Sequence, residues 1–250
     1  MPGIAALQRW LVDRVLSGDP FIHTINAGPA VGLRFEVTLP LDKAIWSGTY
    51  EPDFASAISG GVRSGDVCYD IGGYRGYMSG AMALAGAAKV VAFEPLPSNQ
   101  CALRRVCELN PGLNIEIMAV AVGNVDDAMR LRVMADASMG KLATSTFQLD
   151  ADPEGEIDVA VRRLDSMVQG HEIPPSQVIK IDLEGAELDV LQGATGVLSA
   201  YRPRIFLEAH SASLEEACTH ALVRHGYDVR RLESNPGAQE DTRHLIAVAR

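Results

Sequence analysis

A glycine-containing turn between an apolar segment and a small-residue segment most constrains how this chain can fold. The apolar residues 67–71 are followed by Gly72, Gly73 and Gly76, and residues 79–88 then have the small, apolar character of a packed helix. A strand, a glycine turn and a helix in this order form the βα unit that binds nucleotide-type cofactors. The segment therefore predicts a cofactor site at the end of the first core strand.

A second acid stands at the end of the next predicted strand. Residues 90–93 are apolar, and Glu94 follows them directly. A carboxylate at the tip of the strand after a glycine loop can accept hydrogen bonds from the two hydroxyls of a ribose. We therefore expect Glu94 to bind the ribose of the cofactor.

The glycine spacing does not match the dinucleotide fingerprint. A Gly-x-Gly-x-x-Gly pattern ending at Gly76 needs glycines at positions 71 and 73, and position 71 is Ile. The segment also lacks the Gly-Lys-Ser/Thr ending of a phosphate-binding loop. The acid Asp70 on this loop favours a cationic ligand without phosphate, and S-adenosylmethionine, with its ammonium and sulfonium charges, fits. The alternative is an ordinary tight βα turn, in which glycine serves backbone shape alone.

Composition narrows the class of protein. The 250 residues are 47% hydrophobic, enough for one well-buried α/β domain. The net charge of −10, from 32 acids against 22 Lys and Arg, opposes binding to nucleic acid and to anionic membranes. The four cysteines lack Cys-x-x-Cys spacing, which favours buried thiols over disulfides or a zinc site. Since no apolar run is long enough to span a bilayer and no signal peptide is evident, the sequence predicts a cytoplasmic protein.

Hydrophobic patterns divide the chain into a cap and a core. Residues 1–65 predict an N-terminal cap of helix and strand that packs on the core, beginning with a helix over residues 4–15. Residues 66–250 alternate between predicted strands and helices, and two late strands form a closing antiparallel hairpin. This order predicts an α/β fold, a mostly parallel sheet with helices on both faces.

Two further segments have predicted roles. Residues 43–60 are rich in aromatic residues and predict helix in parts. Trp46, Tyr50 and Phe54 recur at the spacing of one helix face, which either packs on the core or covers the cofactor cleft. The polar residues 136–148 predict a mobile loop that closes over the site.

Acids follow most of the predicted parallel strands. Ligands bind outside the carboxyl ends of such strands, and there the sequence places Asp70, Glu94, Asp182, Glu184 and Glu208. Unpaired acids are costly to bury, so this convergence predicts a cationic ligand, a metal ion, or both. The alternative is that these acids cap the following helices, which is the interpretation we favour for Glu187.

One histidine, His210, is predicted at a strand tip. A neutral imidazole can take a proton from a hydroxyl nucleophile, and we predict His210, Asp182 and Glu184 as catalytic residues. The same three residues are the candidate ligands of a divalent cation, although their spacing is diagnostic of no metal. Glu208 shares a strand face with His210 and is a predicted substrate contact.

Several segments together resemble the FkbM-type family of S-adenosylmethionine-dependent methyltransferases. The matching segments are residues 70–79, 91–99, 119–123, 163–166, 179–187, 190–194 and 203–210. The most specific are residues 180–187 and the Phe-Glu-Pro of residues 93–95. Residues 46–52 also resemble the aromatic and Glu-Pro segment that precedes the family's core.

The resemblance implies a Rossmann-like class I methyltransferase fold with a late antiparallel strand, and methyl transfer to a hydroxyl oxygen of a sugar or natural product. The residues it places at the cofactor are Asp70, Gly72, Gly73, Tyr74, Gly76, Ser79, Glu94, Pro95, Asn99, Ala119, Val120 and Asp182. Tyr50, Glu51 and Glu208 are the implied substrate contacts. One departure stands in the loop, because the family usually has Asn at the position of Tyr74.

Two other classes remain open from the sequence. One is an NAD-type oxidoreductase with an atypical glycine loop. The other is a binding module that kept the cofactor pocket without catalysis, which the unusual Tyr74 favours. The sequence does not name the acceptor molecule or the oligomeric state.

Overall fold

The computed structural model describes residues 18–133, 140–142, 155–233 and 243–250. The predicted helix over residues 4–15 lies outside the described residues, as does most of the predicted loop 136–148. The strands are β1 Phe21–Thr24, β2 Arg34–Val37, β3 Val67–Ile71, β4 Lys89–Phe93, β5 Ile115–Met118, β6 Ala121–Val122, β7 Asp127–Val133, β8 Gly140–Leu142, β9 Gly155–Arg162, β10 Val178–Asp182, β11 Arg204–Ala209, β12 Tyr227–Arg231 and β13 Arg243–Ala249. The helices are α1 Lys43–Ser47, α2 Pro52–Gly61, α3 Tyr77–Leu84, α4 Pro97–Leu109, α5 Leu164–Gln169, α6 Glu187–Gln192, α7 Thr195–Tyr201 and α8 Ala212–Arg224.

A seven-stranded sheet forms the centre of the protein, with strand order β12-β13-β11-β10-β3-β4-β5. The neighbours from β11 to β5 are parallel, whereas β13 runs antiparallel to both β11 and β12. The predicted mostly parallel sheet and its late antiparallel hairpin are confirmed. Because β3 lies between β10 and β4, the carboxyl ends of these strands meet at one edge.

Alternating side chains bury both faces of this sheet. Tyr69 and Val91 join one apolar cluster with helices α5 to α8, while their neighbours Cys68 and Val90 join a second with α2, α3 and α4. Successive side chains of a strand point to opposite faces, so each strand contributes to both layers. The prediction of helices on both faces is confirmed.

A second sheet, with order β6-β9-β7-β8, lies beside the carboxyl ends of the main sheet. Its two long strands, β7 and β9, pair antiparallel. Leu131 and Val159 form a small buried cluster with Leu96, which follows β4.

Residues 43–60 form two separate helices, which agrees with the prediction of helix in parts, but Trp46, Tyr50 and Phe54 do not share one helix face. Gly48 ends α1 in a left-handed conformation, and α2 begins only at Pro52. The three aromatic residues therefore have different surroundings: Trp46 is exposed, Phe54 is fully buried, and Tyr50 lies between the helices. Glycine adopts the left-handed conformation without steric cost, which is why the chain turns there.

The segment before residue 66 shares a core with the main sheet. Leu33, Phe35, Phe54 and Ile58 are buried in the same apolar cluster as side chains of α3 and β11. Polar contacts join the same parts, since Arg75 pairs with Asp42 and donates to the carbonyl oxygen of Glu36. Burial of this extent is the main stabilising term between packed layers.

Candidate functional site

A cavity of about 190 Å³ opens at the carboxyl ends of the parallel strands. Its walls come from the loops after β3, β4, β10 and β11 and from the junction of α1 and α2. Five acids and one histidine line it, with no Lys or Arg among its described walls. The lining residues are Tyr50, Glu51, Gly72, Tyr74, Glu94, Pro95, Leu96, Asn99, Asp182, Leu183, Glu184, Glu208 and His210.

The glycine loop is drawn tightly against its neighbouring strands. The backbone N–H groups of Gly72 and Gly73 both donate to the carbonyl oxygen of Phe93, at 3.1 and 3.0 Å. Gly72 has a φ of +80°, and a Cβ atom there would lie 2.0 Å from the carbonyl oxygen of Asp182. No other residue fits this close approach. The loop therefore brings the ends of β3, β4 and β10 into contact beside the cavity.

Tyr74 holds a backbone conformation that side chains rarely adopt, with a φ of 45°. Its N–H donates to Oε2 of Glu94 at 2.9 Å, so the loop needs this conformation to engage the next strand. Asn tolerates positive φ better than Tyr does, which accounts physically for Asn as the usual family residue at this position. The substitution keeps the loop's hydrogen bond and adds an aromatic ring to the cavity wall.

Glu94 lies at the tip of β4 and is only 5% exposed. Its Oε1 accepts a hydrogen bond from the N–H of Leu96 at 2.8 Å, opposite the bond from Tyr74 to Oε2. Burial raises the pKa of Glu94 to about 7 despite these two bonds and a further one from Asn99. The carboxylate is held in one orientation, with its remaining acceptor capacity available to the cavity.

A buried ion-pair network lies beneath the glycine loop. Asp70 is fully buried and accepts a hydrogen bond from Oγ of Ser79 at 2.5 Å. Lys180, on β10, lies 3.1 Å from Asp70 and 3.3 Å from Asp182, and donates to the carbonyl oxygen of Gly72 at 2.7 Å. Burial alone would lower the pKa of Lys180, but these carboxylates outweigh it and raise the pKa. Asp70 thus supports the loop from below and is not part of the cavity wall.

His210 lies among four carboxylates just after β11. Its Nδ1 is 2.9 Å from Oε1 of Glu187, while its Nε2 is 3.4 Å from Glu208 and 4.0 Å from both Asp182 and Glu184. Burial lowers the pKa of His210, but the bond to Glu187 and the nearby acids raise it to about 9 overall. In the protein without ligand, His210 is therefore protonated at neutral pH.

A second histidine extends this network into the core. Nε2 of His244 lies 3.1 Å from Oε2 of Glu208, and its ring stacks on Phe54 with centroids 4.1 Å apart. Glu208 thus has an imidazole on either side, since its other oxygen faces His210.

Glu51 enters the same wall from the start of α2. Its backbone is left-handed, with a φ of 41°, and its Oε2 is buried without a hydrogen bond to any described residue. Burial, with the charges of Asp182 and Glu208, raises the pKa of Glu51 to about 8. A strained backbone beside a cavity is a frequent sign of a functional position.

Two sets of described residues have the composition of a metal site. Their ligand atoms lie within 4.8 Å of one another, in Glu51, Glu208 and His244 and in Asp182, Glu208 and His210. Glu208 takes the place of Glu184 in the predicted set. In this structure Lys180 and His244 already pair with Asp182 and Glu208, so the metal site stays a prediction.

The structure divides the predicted cofactor residues into three groups. Gly72, Tyr74, Glu94, Pro95, Asn99 and Asp182 line the main cavity. Val120 lines a smaller, mostly apolar cavity of about 40 Å³, whose walls share Gly72, Pro95, Leu183 and Glu184 with the first. The walls of neither cavity include Asp70, Gly73, Gly76, Ser79 or Ala119. All the predicted catalytic and substrate residues, His210, Asp182, Glu184, Tyr50, Glu51 and Glu208, are brought together at the main cavity.

Three residues of this site escape the sequence interpretation. Lys180 is predicted only as part of a strand and of a family-matching segment, Glu187 as a helix cap, and His244 as part of a closing strand. Glu187 lies in the first turn of α6, as an N-terminal acid would, and its buried side chain is also bonded to His210. A lysine inside a run of buried strand residues was the one available signal, since lysine is almost never buried unpaired.

The fold and the site together define a class of protein. The strand order, the antiparallel β13 and the ligand cavity at the carboxyl ends are those of a Rossmann-like class I methyltransferase. The chain belongs to the FkbM methyltransferase family, since the family model "Methyltransferase FkbM domain" matches residues 70–240. This membership confirms the predicted family and argues against an NAD-type oxidoreductase.

Individual relatives agree with this class. The chain is 28% identical over 147 residues to hexuronic acid methyltransferase AglP of Haloferax volcanii, an alignment that covers 58% of this chain and 56% of that protein. A crystal structure of methyltransferase FkbM from Methylobacillus flagellatus aligns with a TM-score of 0.53 and 22% identity, over 75% of this chain and 45% of that one. The chain therefore spans about half the length of these two relatives.

A third neighbour shares the fold at lower identity. The structure of TYW2 from M. jannaschii in complex with AdoMet aligns with a TM-score of 0.52 and 14% identity, over 91% of this chain and 84% of that one.

Within the described residues, no helix combines the length and apolar character needed to cross a bilayer.

Proposed function

We propose that this protein transfers a methyl group from S-adenosylmethionine to a hydroxyl oxygen of a sugar or a related small molecule. The observation that carries the proposal is Glu94, a buried carboxylate held at the tip of β4 beside the glycine loop. A carboxylate in that position, in a chain of a methyltransferase family, suits the ribose of this cofactor.

The cavity walls fit the other parts of S-adenosylmethionine. Gly72 presents backbone without a side chain at the wall of the main cavity, and the smaller apolar cavity beside Pro95 and Val120 suits the adenine ring. The acids of the main cavity suit the sulfonium and ammonium charges. Asn99 would contact the nucleoside from the start of α4.

The protein has two tasks in this reaction, positioning and removal of one proton. When bound, S-adenosylmethionine supplies an electrophilic methyl group. Asp182, Glu184 and Glu208 surround Nε2 of His210, where an acceptor hydroxyl would have to lie for its proton to reach that nitrogen. A base must be neutral to accept a proton. The positive charge of bound S-adenosylmethionine would lower the pKa of His210 and so favour its neutral form.

The acceptor proposal rests on the chemistry of the walls. Carboxylates accept hydrogen bonds and cannot donate them, so Glu184 and Glu208 suit a molecule with several hydroxyl donors. The relative that is named for its action on a hexuronic acid is consistent with a sugar acceptor. A divalent cation held by Asp182, Glu208 and His210 is the alternative arrangement: it would orient the hydroxyls but would occupy the nitrogen that otherwise accepts the proton.

Ligand binding and turnover test the proposal directly. We expect S-adenosylhomocysteine, and not NAD, to raise the thermal midpoint, and mass spectrometry to detect a product heavier by one methyl group from a panel of sugars and glycosides. The assay is run with and without a chelator, which tests the metal. A rise with NAD alone would contradict the cofactor assignment. Cofactor binding without turnover on any acceptor would favour the non-catalytic binding module.

A further inference from the structure

We propose that Glu187 is a positioning residue that fixes His210 with Nδ1–H bonded to the core and Nε2 directed at the cavity. The catalytic meaning of this role rests on the proposed function, while the orientation itself does not. The inference concerns a residue whose sequence position, in the first turn of a helix, indicates no more than a cap.

Glu187 has the surroundings of a buried hydrogen-bond acceptor. It is 0% exposed, and its Oε1 lies 2.9 Å from Nδ1 of His210. The same oxygen is 3.4 Å from the N–H of Gly185, whereas Oε2 has no hydrogen-bond partner among the described residues. A buried carboxylate is costly unless it is paired, so His210 is the partner that allows this acid to lie in the core.

An ionised carboxylate accepts hydrogen bonds only. Burial raises the pKa of Glu187, while the bond with His210 lowers it. With Glu187 ionised, Nδ1 of His210 carries the proton that lies between the two groups. In the neutral imidazole, the other nitrogen is then the acceptor. This is Nε2, the atom that faces Glu208 at 3.4 Å and Asp182 and Glu184 at 4.0 Å.

Without Glu187, the opposite tautomer is the favoured one. Three carboxylates make their closest approach to the ring at Nε2. A proton on Nε2 would donate to Glu208, and the nitrogen left without a proton would point away from the cavity. Glu187 thus decides whether His210 can accept a proton from a bound hydroxyl.

The test reads the tautomer of His210 by ¹⁵N NMR, without any substrate. Spectra are recorded at about pH 10, because the pKa of His210 is raised to about 9, and the signal is assigned by its loss in His210→Asn. We expect Nδ1–H in the unmodified protein and mostly Nε2–H in Glu187→Leu. The matched control is Asp189→Asn on the same helix, whose carboxylate binds Asn124 at the surface, and it should keep Nδ1–H.

Kinetics supply the second measurement. We expect Glu187→Leu to lower kcat at least about tenfold while KM for S-adenosylmethionine changes less than about twofold. A proton on Nε2 in the unmodified protein would overturn the inference. This result can be obtained even if Glu187→Leu does not fold. Unchanged tautomer and kcat in a folded Glu187→Leu would also overturn it. If even the unmodified protein transfers no methyl group, the proposed function fails, while the spectra still decide the role of Glu187.

Discussion

At the scale of single residues, Glu94 joins the loop, the strand and the cavity. Both of its oxygens accept backbone N–H groups, from Tyr74 and Leu96, so the side chain cannot turn away from the ligand position. Hydrogen bonds to a charged acceptor are stronger than those between neutral groups. The protonation state of Glu94 should therefore control cofactor affinity.

Glu94→Gln tests this control. At about pH 8 we expect affinity for S-adenosylhomocysteine to weaken by about 1–3 kcal/mol, because charge-assisted bonds to the ribose become neutral ones. The pKa of Glu94 is about 7, so the affinity of the unmodified protein should fall as the pH decreases through that value. The variant should lose the part of this dependence that is centred near pH 7. Calorimetric titration between about pH 6 and pH 8 measures both effects.

Glu116→Gln is the control. Glu116 lies on the edge strand β5, outside the cavity walls, and forms a partly exposed ion pair with Lys89 of β4. This variant should leave the affinity unchanged. Equal affinities of the Glu94→Gln variant and the unmodified protein at about pH 8 would contradict the ribose assignment.

Tyr74 offers a prediction about backbone strain. At a φ of 45°, a Cβ atom costs about 1–2 kcal/mol. Among variants that lose the same ring, Tyr74→Gly should therefore be more stable than Tyr74→Ala by about 1 kcal/mol. Urea unfolding measures the difference. The control is Glu216, an exposed residue of α8, where Glu216→Ala should be more stable than Glu216→Gly because glycine is unfavourable inside a helix. If the alanine variant is the more stable one at both sites, strain at Tyr74 is contradicted.

At the scale of elements, strand β10 organises the site through one side chain. Lys180 reaches from β10 to Asp70 on β3 and to the carbonyl oxygen of Gly72. Its neighbour at the end of the strand, Asp182, lies at the cavity. One buried lysine thus sets the position of the glycine loop relative to the strand that carries the candidate catalytic acid.

Lys180→Met should lower the free energy of unfolding by about 3–5 kcal/mol, because Asp70 would stay buried without its cation. Adding Asp70→Asn should restore part of the loss, since the uncompensated charge is then removed. Urea unfolding of both variants measures this. Lys89→Met, which breaks the partly exposed pair with Glu116, should cost less than about 1 kcal/mol. A loss in Lys180→Met as small as this would show that the buried network is not stabilising.

At the scale of the whole molecule, the first described segment and the main sheet share one apolar cluster. Phe54 of α2 is fully buried and stacks on His244 of β13, so residues far apart in sequence support each other. The division at residue 65 stays a prediction about chain organisation, but the shared core predicts that both parts unfold together.

Phe54→Ala should destabilise the whole protein by about 3–5 kcal/mol, because it leaves a cavity between α2 and the sheet. In a Trp10→Phe background, fluorescence of Trp46 reports on the first segment and far-ultraviolet circular dichroism reports on the whole chain. The two transitions should coincide before and after the substitution. A transition of Trp46 that comes first would show that the segment unfolds independently.

The sequence by itself determined three features: a sheet with helices on both faces, an antiparallel hairpin near the end of the chain, and the edge of the sheet where the cavity lies. These features follow from local signals: apolar periodicity gives the elements, and acids at or near the ends of most parallel strands mark their carboxyl ends. Asp182, Glu184, Glu208 and His210 could be grouped for that reason, since parallel strands bring their ends together.

The tertiary structure alone decided how those groups are paired. That His210 bonds Glu187, that Glu208 lies between His210 and His244, and that Lys180 supports the glycine loop depend on contacts between residues distant in sequence. Residue patterns report periodicity along one element, whereas the packing of separate elements selects which buried charges meet. The cost of burying a charge without a partner then fixes those pairs.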